Sequence, residues 1–214
     1  MAGPPPSDRP ITGASPIDPF ANGVVDTGRG GEPYAQFVAL FRTLLDRVVQ
    51  ANPPDQVWNE VAALTGAAID LLAPWAAPER QQPAGTRTDL PGRGNPLLVP
   101  FVLGEAADDR IAGQAEFRPF HLGGNGAAHG GTLPLLFDEV MGRVANSGNR
   151  PVSRTAFLTV NYRNITPIGV TLDVDASVDR VEGRKRWVSA RLANGTTVVA
   201  DAVGLFVELR PGQP

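Results

Sequence analysis

The chain has 214 residues, of which 42% are hydrophobic and 19% charged, a balance typical of a globular protein with one sizeable core. Its formal net charge of −3 gives no electrostatic reason to bind nucleic acid. The absence of cysteine excludes disulfides, thiolate metal sites and iron–sulfur clusters, and two histidines, His121 and His129, are too few for a histidine-rich metal centre.

Residues 1–33 are rich in proline, glycine and alanine and show no periodicity, which predicts a disordered tail. The start of the chain, Met1 to Asp26, carries prolines, acids and glycines where a signal peptide would need a basic region followed by an apolar run. No stretch of the chain is apolar for long enough to span a membrane. We therefore expect a cytoplasmic protein without a membrane partner.

Two amphipathic helices are predicted within residues 34–75. Apolar residues recur at helical spacing over residues 37–48, and a second stripe follows over residues 57–71. The sequence Asn52-Pro53-Pro54-Asp55 separates them, because proline suits a first helical turn. Residues 76–96, where proline, glycine and arginine dominate, are typical of a linker, although such a segment can also cover a ligand.

Residues 97–210 are predicted to form one α+β domain. The segment Leu133 to Val144 is apolar on nearly every side if helical, so it must be buried inside something larger. The other apolar runs have strand length and are separated by turns of hairpin type, which favours an antiparallel sheet. The pattern matches the hot-dog fold, a sheet of about six strands wrapped around a long central helix. The predicted strands are 97–103, 111–117, 152–162, 170–181, 186–192 and 197–209.

A glycine-rich run ending at Gly131 leads directly into the predicted central helix. Backbone N–H groups at such a helix start stabilise negative charge, including the oxyanion that forms when water attacks a thioester carbonyl. Gly130 is the donor we favour, although a tight turn alone would also call for glycine there.

Asp138 lies about two turns into the same helix, among apolar neighbours. A buried carboxylate without a partner costs several kcal/mol, so Asp138 is either paired structurally or kept for general-base or nucleophilic chemistry, and we prefer the second interpretation. Glu139 points about 100° away from it, and we expect Glu139 to be solvated or salt-bridged.

Two ordered blocks carry a resemblance to a known family. Asn125-Gly-Ala-Ala-His-Gly-Gly131 followed by Phe137-Asp-Glu-Val-Met-Gly142 resembles the PaaI-type branch of the hot-dog thioesterases. Thr155-Ala-Phe-Leu-Thr-Val-Asn-Tyr-Arg163 followed by Asp179-Arg-Val-Glu-Gly-Arg-Lys185 is similar to the acyl-CoA thioesterase superfamily members four and five. The resemblance covers about residues 97–209.

The resemblance implies an enzyme that hydrolyses an acyl-CoA thioester to a carboxylic acid and a free thiol, at a site shared between two subunits. It implies that Gly130 polarises the carbonyl, that Asp138 activates water or attacks, and that Thr155 assists Asp138. It further implies that His129 shapes the turn and that Asn125 contributes to the carbonyl pocket, although relatives usually place that asparagine two residues upstream. The candidates for binding substrate are Gly131, Arg163, Arg184 and Lys185. The three bases could meet the phosphates of CoA, although a cluster of bases at hairpin ends is more often merely solvated.

We expect acyl-CoA as the partner and a homodimer or dimer of dimers, because a sheet wrapped around one helix leaves edge strands and a helix flank to cover. No cofactor is expected, since the strands after the glycine run form hairpins instead of a βαβ unit. A hot-dog hydratase is disfavoured because position 143 is arginine where a histidine is required. The alternative that stays open is a non-catalytic acyl-CoA or fatty-acid binding protein.

Overall fold

The fold is taken from a computed structural model, which describes residues 29–212. Most of the predicted tail, residues 1–28, lies outside the described residues, and the first helix already begins at Gly31. The helices are α1 (Gly31–Gln50), α2 (Asp55–Leu72) and α3 (Thr132–Ala145). The strands are β1 (Phe101–Ala106), β2 (Arg110–Glu116), β3 (Leu122–Gly124), β4 (Ala127–Ala128), β5 (Ser153–Tyr162), β6 (Thr171–Glu182), β7 (Lys185–Asn194) and β8 (Thr197–Glu208).

Six of the strands form one sheet in the order β1-β2-β6-β7-β8-β5, and every neighbouring pair is antiparallel. The predicted α+β hot-dog fold is therefore confirmed. The first strand begins later than the expected residue 97, because Pro96 and Pro100 bracket a turn and proline cannot donate to a strand ladder. At the far end of the sheet, one edge of β5 has no partner strand among residues 29–212.

The central helix α3 fills the concave side of the sheet. Its apolar residues contact strand residues that alternate along the sheet, as the burial of Leu172, Val174 and Ala176 on β6 illustrates. Burial of one such large side chain contributes about 1.5–3 kcal/mol. At the C-terminus of α3, the buried Arg186 donates from Nη1 to the carbonyl of Ala145 at 2.9 Å, where the helix dipole favours a cation.

The N-terminal helix α1 is attached to the hot-dog domain by buried polar contacts. Asp46 accepts two hydrogen bonds from Arg118, at 2.9 and 2.7 Å. Arg42 donates to the carbonyls of Pro91 and Asn95. By contrast, α2 has no buried residue, and it leaves Leu64 and other large apolar side chains exposed. The apolar stripes predicted for both helices thus stay partly uncovered in a single chain.

Residues 76–96, predicted to be a linker, form an ordered strap that contains two short 3₁₀ turns, Glu79–Gln81 and Pro91–Gly94. Arg93 adopts a left-handed conformation with φ 54°, which is uncommon outside glycine. Its guanidinium forms two hydrogen bonds of 2.7 Å with the carboxylate of Glu139 on α3. The strap is therefore tied to the central helix, although the division of the chain into domains stays a prediction.

Among the helices of residues 29–212, none combines the length and the hydropathy required to cross a bilayer. The cytoplasmic location stays a prediction.

Candidate active site

Asp138 lies on an exposed flank of α3, where its Oδ1 accepts a hydrogen bond of 2.6 Å from the hydroxyl of Thr155 on β5. The expectation that Asp138 is buried is wrong for the single chain, because α3 is turned so that Glu139 faces inward instead. Thr155 precedes an irregularity in the pairing of β5 with β8, and such bulges re-aim side chains. A short bond to a carboxylate fixes its orientation and leaves Oδ2 without a donor among residues 29–212.

Glu139 is only 8% exposed and is bound on two sides. Arg143, one turn later on α3, donates from Nε to Glu139 Oε1 at 2.9 Å, in addition to the pair with Arg93. Burial alone would raise the pKa of Glu139, but the two guanidinium groups outweigh it and hold the pKa below its ordinary value. The expected salt bridge is therefore present, and both carboxylate oxygens of Glu139 are bound by guanidinium groups.

The glycine-rich run folds into a small hairpin, β3–β4, with Asn125 and Gly126 at its tip. Both residues have left-handed φ, 49° and 76°, as a two-residue hairpin turn requires, and Asn-Gly is the pair best suited to it. At Gly123, the position where relatives place an asparagine, a Cβ would lie 2.7 Å from the Cα of His129. No side chain fits there without a shift of the backbone, and Asn125 itself lies exposed at the tip.

In the turn between this hairpin and α3, residues 129–131, most of the backbone N–H and carbonyl groups are hydrogen-bonded. His129 O accepts from the backbone N–H and the hydroxyl of Thr132, at 2.9 and 2.7 Å. Gly131 N–H donates to His129 Nδ1 at 3.0 Å, and Gly130 O accepts from the hydroxyl of Tyr162 at 2.8 Å. The N–H of Gly130 has no acceptor among residues 29–212. The N–H of Gly130 is thus available just before α3, whereas the N–H of Gly131 is already used.

One chain does not bring Gly130 and Asp138 together. They are eight residues apart, which corresponds to about 12 Å along a helix. A thioester carbon must approach its nucleophile to about 3–3.5 Å while its oxygen lies about 3 Å from the donor. A rise of this length along the chain exceeds the spacing that a shared carbonyl calls for.

An apolar cavity of about 400 Å³ adjoins the turn, a size suited to a small organic ligand. Burial lowers the pKa of His121 in its wall to about 4, so this imidazole is neutral at pH 7, and its Nδ1 accepts the backbone N–H of Arg118. The cavity is lined by Phe41 and Leu45 of α1, Pro96 and Leu97 of the strap end, Phe120, His121, and Thr132 and Leu135 of α3. The helix α1 therefore forms one wall of the cavity.

A second, more polar cleft of about 360 Å³ includes Thr155 in its wall. Arg154, Arg184 and Arg210 also line it. The other predicted phosphate ligands lie elsewhere: Arg163 forms an ion pair of 2.5 Å with Asp201, and Lys185 is exposed at the start of β7 outside this lining. The hydrogen bond from Arg163 lowers the pKa of Asp201. Of the three predicted bases, Arg184 alone lines the same cleft as Thr155.

Within residues 29–212, no group of three or more histidine, aspartate or glutamate side chains is arranged to hold a metal ion. Sequence reasoning gave Tyr162 no role, although Tyr162 lies within a block that carries the resemblance. No pattern of spacing marks it, because its contact with Gly130 joins residues that are 32 positions apart.

The family model of the thioesterase superfamily matches residues 125–200, a span that includes Gly130, Asp138 and Thr155. PA0474 of Pseudomonas aeruginosa, a protein named provisionally as an esterase, is 30% identical over 112 residues, which cover 51% of this chain and 84% of that protein. The chain belongs to the thioesterase superfamily.

Two acyl-coenzyme A thioesterases confirm the predicted resemblance to members four and five. THEM5 of Mus musculus is 31% identical over 94 residues, which cover 43% of this chain and 38% of that protein. THEM4 of Xenopus laevis is 33% identical over 95 residues, which cover 44% of this chain and 42% of that protein. The matched part of the chain thus spans about two fifths of the length of these relatives.

The crystal structure of RHA08564, a thioesterase superfamily protein, shares the fold with a TM-score of 0.71 at 24% identity. The match covers 82% of this chain and 90% of that one. Because residues 97–210 make up only about half of the 214 residues, the shared fold extends into the N-terminal region.

Proposed function

We propose that this member of the thioesterase superfamily is an acyl-CoA thioesterase, with Asp138 as the general base or nucleophile and the N–H of Gly130 as the oxyanion donor. The observation that carries the proposal is the bond of 2.6 Å between Thr155 and an exposed carboxylate on the central helix. This bond orients the carboxylate and leaves its second oxygen without a donor among residues 29–212.

In the general-base route, Asp138 takes a proton from water as the water oxygen bonds to the thioester carbon, and the carbonyl electron pair moves to oxygen. Collapse of this intermediate restores the carbonyl and breaks the carbon–sulfur bond. The departing thiolate receives the proton from Asp138. In the nucleophilic route, an oxygen of Asp138 bonds to the carbon, the carbon–sulfur bond breaks and the CoA thiolate leaves. Water then hydrolyses the resulting anhydride: its hydroxyl stays on the acyl carbon, its proton goes to the thiolate, and the carboxylate of Asp138 is released. Both routes end with a carboxylic acid, free CoA thiol and a regenerated carboxylate.

The Gly130 N–H supports the proposal as a donor to the carbonyl oxygen of the thioester. It is unpaired among the described residues and precedes the first turn of α3. The positive end of the helix dipole adds to its effect on a developing oxyanion. Removal of one such donor costs about 2.7–4 kcal/mol of transition-state stabilisation in enzymes where it has been measured.

We further propose a homodimer in which Gly130 of one subunit and Asp138 of the other form each site. The estimated rise of about 12 Å between the two positions along one chain supports such an arrangement. The unpaired edge of β5, which carries Thr155 and Tyr162, is available for pairing with a second copy. The exposed apolar residues of α1 and α2 also call for a partner surface. A dimer of dimers is the other assembly compatible with these surfaces.

In this arrangement, the two ends of the substrate are bound by different subunits. The apolar cavity adjoins the Gly130 turn and suits the acyl group, whereas the cleft with Arg154 and Arg184 adjoins Thr155 and suits the phosphates of CoA. The thioester then lies where the two meet. The N-terminal helix α1, as a cavity wall, contributes to the choice of acyl chain.

The first test is hydrolysis of an acyl-CoA panel, from short aliphatic through aromatic to long chains, followed by release of free thiol. We expect turnover of part of the panel. Binding of acyl-CoA without thiol release from any member would contradict the enzyme and favour the non-catalytic binding protein.

The second test is complementation between Gly130→Pro, which removes the donor N–H, and Asp138→Asn. Each homodimer should be nearly inactive, while statistical mixing should recover roughly a quarter of wild-type activity, since half of the dimers then hold one intact site. Mass spectrometry must show that mixed dimers form, and circular dichroism that Gly130→Pro folds. No recovery with both controls satisfied would place the whole site in one subunit.

A further inference from the structure

Two peptide units meet at the Cα of Gly130, and side chains hold both of them. The unit before Gly130 is held through its carbonyl, His129 O, by Thr132. The unit after Gly130 is held at both polar atoms, its carbonyl by the hydroxyl of Tyr162 at 2.8 Å and its N–H by Nδ1 of His129 at 3.0 Å. The Gly130 N–H, by contrast, has no acceptor among the described residues.

The contacts of Thr132 direct the Gly130 N–H, and the contact of Tyr162 fixes the peptide on the other side of the Gly130 Cα. In a trans peptide the N–H is directed opposite to the carbonyl of the same unit, so the hold on His129 O also aims the N–H of Gly130. Glycine has no Cβ to restrict its backbone, and the added Cβ would meet only the Tyr162 ring at ordinary contact distance. Without outside contacts, the unit after Gly130 would be free to rotate about its Cα.

We propose that Tyr162 is the positioning residue of the oxyanion turn, acting through the carbonyl of Gly130 and not on the substrate itself. The inference rests on the proposed function. It also gives the edge strand β5 two tasks, because Thr155 at one end orients Asp138 and Tyr162 at the other orients the donor turn. One strand thereby supports both halves of the chemistry, each in a different site of the proposed dimer.

The test is Tyr162→Phe, which removes the hydroxyl and keeps the ring. We expect kcat to fall roughly tenfold with KM changed less than about twofold, because misdirection of a donor weakens transition-state binding more than substrate binding. The matched control is Tyr34→Phe, since the Tyr34 hydroxyl donates to the carbonyl of Gly94 at the same 2.8 Å, away from the site. This control should keep kcat within about twofold of wild type.

A second readout does not depend on turnover. Amide hydrogen exchange of Gly131, whose N–H belongs to the peptide that Tyr162 holds, should accelerate at least several-fold in Tyr162→Phe and stay unchanged in Tyr34→Phe.

Tyr162 and Tyr34 are the two tyrosines of the chain, which allows a test that needs no substitution at position 162. In the Tyr34→Phe background, 3,5-difluorotyrosine can be incorporated at Tyr162 alone. Its phenol ionises at lower pH than that of tyrosine, and the ionised oxygen cannot donate to Gly130 O. We expect kcat of the fluorinated protein to fall as pH rises through this ionisation, where the unlabelled protein shows no such fall.

An active wild type with unchanged kcat and exchange in Tyr162→Phe would overturn the role of Tyr162 and leave the proposed function standing. If kcat falls equally in Tyr162→Phe and Tyr34→Phe, the hydrogen bond from Tyr162 to Gly130 is only structural, and the inference is overturned as well. A folded wild type without turnover of any acyl-CoA would instead remove the proposed function, and this inference with it.

Discussion

The two flanks of α3 place adjacent carboxylates in opposite environments. Glu139 is buried and bound by Arg93 and Arg143, whereas Asp138 is exposed and bound by one hydroxyl. Two arginines commit Glu139 to stability, while a single hydroxyl orients Asp138 and leaves an oxygen free. The contacts around each carboxylate, and not its residue type or its position along the helix, decide whether it stabilises the fold or is available for chemistry.

The largest expected effect lies on the exposed flank. Asp138→Asn should lower kcat by at least about a hundredfold and leave the unfolding free energy nearly unchanged, as for loss of a base or nucleophile. Asp173→Asn is the matched control, because Asp173 is also exposed and hydrogen-bonded once, to Gln114 at 3.2 Å. Steady-state kinetics and denaturant unfolding measure the two properties. Equal activity in the two variants would remove Asp138 from the chemistry.

The buried flank should show the reverse behaviour. Glu139→Gln should cost about 3 kcal/mol of stability, since it leaves two guanidinium groups without their counter-charge. For a chain of this size that loss lowers Tm by roughly 6–12 °C. The turnover per folded molecule should change by less than about threefold.

The matched control for Glu139→Gln is Glu182→Gln, which breaks an exposed ion pair with Arg180, both side chains being 56% exposed. That change should cost less than about 0.5 kcal/mol. A Glu139→Gln protein as stable as this control would show that the buried network contributes nothing.

The contact that orients Asp138 should have a smaller effect than the carboxylate itself. Thr155→Ala should lower kcat about tenfold, whereas Thr155→Ser, which retains the hydroxyl, should stay within about threefold of wild type. The double variant of Thr155→Ala and Asp138→Asn should be no slower than Asp138→Asn alone, because the hydroxyl acts through the carboxylate. Additive losses in the double variant would mean that Thr155 acts on the substrate independently.

The fold was predictable because its signals are periodic. An all-round apolar helix followed by four strand-length runs and hairpin turns permits few arrangements. The ordered strap was not predictable, because its composition is that of a linker and its anchor joins Arg93 to Glu139 across 46 positions. The exposure of Asp138 was missed for a related reason: a helix apolar on every side does not reveal which flank the chain itself leaves uncovered.

The candidate site divides in the same way. Asp138, Thr155 and Gly130 could be named from ordered motifs, and the Asn-Gly pair at 125–126 carried a hairpin signal that was available but not used. Tyr162 had no such signal, since its hydroxyl matters only through a contact made after the sheet has formed. Long-range polar contacts of this kind leave no trace in composition or spacing.

The smallest expected effect is a pH dependence of stability that reports on the charge of Glu139. Arg143 and Arg93 hold its folded pKa below the ordinary value, against the effect of burial. The unfolded chain therefore binds a proton at a higher pH than the folded one, so this stabilisation is complete above the unfolded pKa, near 4.5, and is lost as pH falls through the folded pKa.

Protonated glutamate and glutamine are both neutral. We therefore expect the stability difference between wild type and Glu139→Gln to narrow by a fraction of its value at pH 7 as pH falls below about 4.5. Denaturant unfolding of both proteins at matched pH measures this difference, in which the titration of all other carboxyl groups cancels. A gap that stays constant down to acid unfolding would show that the side chain contributes by shape and hydrogen bonding, and the contrast between the two flanks would then rest on packing and not on charge.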